Sequence, residues 1–129
     1  MIAYADSTAL VKLTIAEPES AELRAVLRSY DDVVTSELAI VEVTRAARRA
    51  AGTAGAEHAA AVLASVKQLR IDQAVLQRTA ALPPPTLPSL DAIHVASALE
   101  LEASVVIAYD DRLLAAATSA GCLTSSPGW

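Results

Sequence analysis

The sequence predicts an α/β fold of three layers, with a mainly parallel central sheet flanked by helices, in a single domain over 1–129. Two observations predict it. Short apolar runs alternate with longer segments of helical periodicity, the order from which strand–helix–strand crossovers are built. One pattern also occurs twice: an apolar strand, an acid and then a helix, first at IAYAD and again at VVIAYD. Composition describes the core: 53% of residues are hydrophobic but only 3% aromatic, with no Phe, so Ala, Leu and Val must fill it through close helix packing.

Ile2, Ala3, Tyr4 and Ala5 form a continuous apolar run suited to a buried parallel strand. Asp6 ends that run, and Ser7 or Thr8 can cap a helix whose Leu10, Val11 and Leu13 pack back on the sheet. Asp6 reads either as a helix cap or as a site residue, because open α/β sheets bind ligands at the carboxyl ends of their strands. After a break at Glu17 and Pro18, residues Leu23, Val26, Leu27 and Tyr30 make the stripe of an amphipathic helix. Asp31 and Asp32 read as a turn and Val33 to Thr35 as a second strand. Ser36 then caps a helix from about Glu37 to Ala51, stopped by Gly52. Ile40, Val43, Thr44 and Ala47 supply its core face, and Glu42 can pair with Arg45 at i+3. Gly52 to Gly55 connects it to an alanine-rich helix over Glu57 to Leu69, so the two form a helical hairpin.

Leu69 to Ile71 reads as an edge strand, and Asp72 caps a helix through Leu82. Pro83 to Ser89, PPPTLPS, is a stiff loop. Ser89 caps the next helix, with Leu90, Ile93 and Leu101 on its buried side. Asp91 lies in its first turn, where the helix dipole favours an acid, and His94 shares its face as a histidine with ordinary structural partners. Val105 to Ala108 is a further strand ended by Tyr109, Asp110 and Asp111. A helix from Leu113 to Ala120 closes at Gly121, and Cys122 to Thr124 can form a last short strand.

The net charge of −5 runs against the basic footprint of most nucleic-acid-binding domains, although acids that hold divalent cations would reverse the field locally. No apolar run approaches the roughly 20 residues that span a bilayer, and no basic leader opens the chain, so the expected location is the cytoplasm without membrane contact. Cys122 is the single cysteine, which excludes an internal disulfide and a cysteine-built zinc or iron–sulfur site. Neither Lys12 nor Lys67 follows a late strand, which counts against a phosphorylation-controlled receiver domain.

Asp6 and Asp110 end two strands, and parallel strands bring their carboxyl ends to one edge. Carboxylates about 4 Å apart repel by roughly 4 kcal/mol per pair at an effective dielectric near 20, so they need a cation, a shared proton or separation. One or two Mg²⁺ or Mn²⁺ ions are the natural solution, since these prefer oxygen ligands and keep waters. Asp91 and Glu42 join the set if their helices abut the same edge.

In order and spacing, MIAYADSTALVKL, SELAIVEVTRA, LDAIHVASALEL and VVIAYDDRLLAAATSAG with the closing SPG resemble a PIN domain, most of all the VapC-type ribonuclease toxins of bacterial toxin–antitoxin pairs. The resemblance implies that Asp6, Glu42, Asp91 and Asp110 form a catalytic, metal-holding set, with Asp6 and Asp91 as direct ligands and Asp111 as a second candidate for the fourth position. Ser7 or Thr8 would orient a ligand or water, though Asp-Ser-Thr stands here where Asp-Thr-Ser is usual for the family. The implied activity is Mg²⁺- or Mn²⁺-dependent endoribonucleolytic hydrolysis of RNA by a homodimeric toxin, neutralised by a cognate VapB-type antitoxin. Arg45, Arg48, Arg49 and Arg112 are candidate phosphate contacts, because guanidinium groups suit phosphate oxygens. With few aromatics for stacking, RNA shape and backbone should dominate recognition. The rival readings are a catalytically silent PIN-fold binding module and the receiver domain.

Overall fold

In the computed structural model, which describes residues 1–129, the first strand, β1 (Ile2–Ala5), lies in the middle of the sheet. On one side it pairs with β2 (Asp32–Ser36), beyond which lies β3 (Lys67–Leu69); on the other it pairs with β4 (Val105–Ile107), beyond which lies β5 (Thr124–Ser125). Every pairing is parallel, so all five carboxyl ends meet one edge. Tyr4 stands opposite Val34 and Val106 in that register.

Strand alternation sorts the core into two layers. Ala3, Ala5, Val105 and Ile107 pack with α1 (Ser7–Thr14), α2 (Ser20–Leu27) and α3 (Leu38–Ala64), burying Ala9, Leu10, Leu23, Val43 and Leu63. Helix α4 (Gln73–Ala81) packs against α5 (Ser89–Glu100). Tyr4, Val106 and Ala108 pack with α5 and α6 (Asp111–Ser119), burying Val95, Ala98, Leu113 and Ala117.

Helix α3 is the expected hairpin. Its helical geometry breaks at Ala51 and at Gly52, whose φ of +60° is left-handed, and the second arm returns so that Ala59 and Leu63 share a core with Ala39, Val43 and Ala47. At the crossing, Gly55 lies so near the Ala47 carbonyl that any Cβ would collide with it.

Several expectations need correction. The cap of α1 is Asp6, neither Ser7 nor Thr8, because its Oδ1 accepts the Ala9 N–H at 3.0 Å. Ser89 is the first helical residue of α5 and caps nothing; Pro88 holds the cap position with no side-chain bond. Leu90, expected inside, is 49% exposed, while α5 buries the smaller Ala92, Val95, Ala96 and Ala98 together with His94. Ile40 likewise points outward, and Ala39 takes its place in the core. In both helices the small residues face inward, α3 mostly against α1 and α5 against α4, α6 and β2, where only small side chains let backbones approach. The second arm of α3 stops at Ala64, freeing Lys67–Leu69 to pair with β2 two residues earlier than expected. Asp32 belongs to β2 and not to a turn, α6 starts at Asp111, and β5 is Thr124–Ser125.

Gly55→Ala is expected to cost about 1–3 kcal/mol, since the arms of α3 must part to admit a methyl group. Urea unfolding monitored by circular dichroism measures this, and an unchanged midpoint would contradict so close a crossing.

Candidate active site

The carboxyl edge of the sheet gathers side chains from β1, α1, α3, α5 and the β4–α6 turn. Asp6 follows β1 directly and is 2% exposed. Its Oδ1 accepts the Ala9 N–H at the α1 amino terminus and the Thr8 hydroxyl at 2.6 Å. Thr8 Oγ1 also accepts the Tyr109 N–H at 2.8 Å, tying the ends of β1 and β4 together. Burial raises the Asp6 carboxyl from 3.8 to about 6, helped by the nearby Asp110 charge and opposed by His94, Thr8 and Ala9.

Glu42 reaches the same edge from the first arm of α3. Its Oε1 accepts the Ser7 hydroxyl at 2.6 Å and lies 2.7 Å from His94 Nε2. Burial acts to raise its pKa, but the hydrogen bonds from His94 and Ser7 win, and the carboxyl is held below its ordinary value. The expected ion pair with Arg45 does not form; Glu42 pairs with His94 and Ser7 instead.

Asp91 is half-buried in the first turn of α5. Its pKa is raised by burial and then by the charge of Asp110, with Glu42 adding to the rise and His94 and Arg112 opposing it. Asp110 caps α6, its Oδ1 accepting the Leu113 N–H at 3.0 Å. Thus Asp6, Glu42, Asp91 and Asp110 share one electrostatic neighbourhood. Asp111 faces solvent in the first turn of α6.

The four carboxylates are a hard oxygen donor set, which fits Mg²⁺ or Mn²⁺. No three of the acids and histidines are clustered tightly enough to enclose an ion by themselves. An ion at this edge would therefore be held by one or two carboxylates together with several waters, as Mg²⁺ commonly is.

Two hollows on the surface are lined by arginines and by none of the four acids. One, of about 340 Å³, lies between the proline loop and α6, and Arg112 lines it with Pro84, Thr86, Leu87 and Ser119. The other, of about 280 Å³, is lined by Arg45, Arg48 and Arg49 on α3. None of these four arginines makes an ion pair, although Lys12, Lys67 and Arg78 do.

Two residues of this neighbourhood escaped notice as site residues in the sequence. His94, read as structural, is 2% exposed and joins Glu42 to Tyr4, whose hydroxyl lies 2.6 Å from Nδ1. The signals were there: His94 follows Asp91 by three residues on one helix face, and Tyr4 is the only large side chain of its strand apart from Ile2.

The family model described as PIN domain matches residues 3–118. The chain belongs to the PIN-domain family. Among curated PIN relatives it is 37% identical to Ribonuclease VapC47 of Mycobacterium tuberculosis, over 97% of this chain and 96% of that one. It is 40% identical to Ribonuclease VapC46 of the same species, over 96% of each. Among solved structures, a toxin–antitoxin complex from Klebsiella pneumoniae contains a chain with the same PIN fold, at a TM-score of 0.75 and 20% identity over 97% of both chains. The three-layer architecture expected from the sequence is therefore that of this family.

Asp6 supplies a pH prediction for the metal-free protein. Its folded pKa of about 6 lies above the ordinary 3.8, so the folded state binds the proton more tightly, and stability falls as pH rises through that window. Asp6→Asn keeps an acceptor for Thr8 and Ala9 without the charge. In EDTA it should exceed the wild type in stability by up to about 3 kcal/mol at pH 7.5, the gain vanishing towards pH 4. Chemical denaturation at both pH values tests this; a less stable variant at pH 7.5 would refute it.

Proposed function

We propose that the chain is a metal-dependent endoribonuclease of the VapC type, acting in the cytoplasm as a toxin and restrained by a cognate antitoxin. The observation that carries this reading is the convergence of Asp6, Glu42, Asp91 and Asp110 at the carboxyl edge of one parallel sheet. The ribonuclease names of relatives matching nearly the whole chain support RNA as the substrate, and the Klebsiella complex supports an antitoxin partner. No helix is long and apolar enough to cross a membrane.

Asp6 and Asp91 would hold Mg²⁺ or Mn²⁺ directly, with Asp110 and the free oxygen of Glu42 completing one or two sites through water. A bound ion supplies Lewis-acid stabilisation of the phosphate and lowers the pKa of water. The chain's own groups bind and orient. Thr8 and the α1 amino terminus fix the Asp6 carboxylate, and Ser7 fixes Glu42. Unpaired Arg45 and Arg112, one beside Glu42 and one beside Asp110, would take phosphate oxygens of the RNA backbone. Arg48 and Arg49 would extend the track along α3. Asp111, exposed and outside the coupled set, is assigned no direct role. The outward-facing Ile40, Val41 and Leu90 offer apolar surface for a second copy of the chain in a homodimer.

Purified antitoxin-free protein should cut cellular RNA with Mg²⁺ or Mn²⁺ and not with EDTA, and Asp6→Asn or Asp91→Asn should each lower the rate at least about 100-fold. End mapping of the fragments identifies the target. Folded protein that cuts nothing in either metal would leave the binding-module reading in its place. Arg45→Ala should raise KM severalfold with little change in kcat, the signature of lost uniform binding; steady-state kinetics on one cleaved oligonucleotide measures it.

A further inference from the structure

We propose that Tyr4 and His94 are positioning residues for Glu42, their hydrogen-bond chain engaging one carboxylate oxygen and leaving the other as the working donor. This rests on the reading of Glu42 as part of the nuclease site. The chain crosses the fold, from the middle of β1 to α5 and on to α3. The Tyr4 hydroxyl lies 2.6 Å from His94 Nδ1, with the Ser97 and Thr35 hydroxyls also in its surroundings. A phenol donates its O–H to an unprotonated ring nitrogen, so Nδ1 accepts and the neutral imidazole carries its proton on Nε2. Nε2 then donates to Glu42 Oε1 at 2.7 Å, and the Ser7 hydroxyl donates to the same oxygen at 2.6 Å. Two donors fill the acceptor directions of Oε1, so Oε2 is left to face water or a cation.

The opposite tautomer fails on the same distances. A proton on Nδ1 would set the Nε2 lone pair against a carboxylate oxygen at 2.7 Å and would cost the Tyr4 O–H its 2.6 Å acceptor. The Ser7 hydroxyl, 3.2 Å from Nε2, offers no remedy because it donates to that same oxygen. The ring cannot turn aside to relieve this, because His94 is buried among the close-packed residues of α5 and its edge meets the Tyr4 ring at a centroid distance of 5.9 Å. Packing alone does not account for the tyrosine. Tyr4 is the largest fully buried side chain, and phenylalanine would fill the same volume without bringing a hydroxyl into the core. The hydroxyl sets the imidazole, and the imidazole sets the carboxylate, as outer hydrogen bonds orient ligands in other metal sites.

Tyr4→Phe keeps the ring and removes the donor. Long-range ¹⁵N NMR of the metal-free wild type should show His94 protonated at Nε2 with an unprotonated Nδ1, and the Phe variant should lose that single tautomer. With an RNA oligonucleotide and Mg²⁺, kcat of Tyr4→Phe should fall about 10-fold while KM stays within about twofold. His94→Gln, which retains an N–H towards Glu42, should keep more activity than His94→Leu. Adding Tyr4→Phe to His94→Gln should cost nothing more, since Tyr4 acts through the imidazole. A wild-type proton on Nδ1, an unchanged kcat in Tyr4→Phe, or additive losses in the double variant would each overturn the proposal. If the wild type cuts no RNA, the nuclease reading falls, and the tautomer spectra still decide whether the hydrogen-bond chain exists.

Discussion

Asp6 sits at the end of the central strand with almost no contact with water, and a carboxylate so placed must be hydrogen-bonded, neutralised or paired with a cation. Much of the surrounding structure answers that requirement. The α1 amino terminus supplies an N–H and the favourable end of a helix dipole, and Thr8 supplies a hydroxyl. Thr8 is itself anchored by the Tyr109 N–H beyond β4, so the two strands that end in acids are held at a fixed spacing. The compensation is incomplete, since the carboxyl pKa stays well above its ordinary value. A site left short of positive charge by its own protein is one suited to an external cation.

Glu42 meets the same difficulty with the opposite result. It lies closer to solvent, and Ser7 and His94 bring two donors to one oxygen, which holds it ionised. The edge thus contains one acid whose charge is poorly compensated and one whose charge is well compensated, within a single neighbourhood. Such contrast between adjacent carboxylates is how a site assigns them different work. Asp91 and Asp110 are each partly open to water, and the charge of Asp110 adds to the burial that raises Asp91.

The alanine-rich core makes this convergence possible. Without Phe, and with Ala3, Ala5, Ala9, Ala39, Ala47 and Ala59 in one cluster, α1 lies close against β1 and α3 close against α1. Glu42 can therefore reach Ser7 across the gap between helices. Larger side chains such as Ile40 and Leu90 are displaced outward by the same crowding, which leaves apolar groups on the surface near the site.

The sequence by itself determined the order of the elements and the parallel sheet. It marked Asp6, Asp91 and Asp110 by position, while Glu42 stood out only through the resemblance to PIN domains. Strands such as Ile2–Ala5 and Val105–Ile107 are short unbroken apolar runs, and acids at strand ends or in a first helical turn occupy positions that local spacing defines. It also showed the hairpin, because Gly52 breaks α3 locally whatever surrounds it. Tertiary structure alone decided which face of α3 and α5 went inside, since periodicity marks the larger apolar side chains and not the alanines that a close interface selects. It alone decided that Asp6, and neither hydroxyl after it, caps α1, for all three residue types can cap and the strand's exit angle chooses among them. It alone joined Tyr4, His94, Glu42 and Ser7, because hydrogen bonds between residues 35 to 90 positions apart leave no trace in local spacing. A histidine three residues from an acid reads the same in any helix, and only the neighbours that folding brings to its two nitrogens tell what it holds.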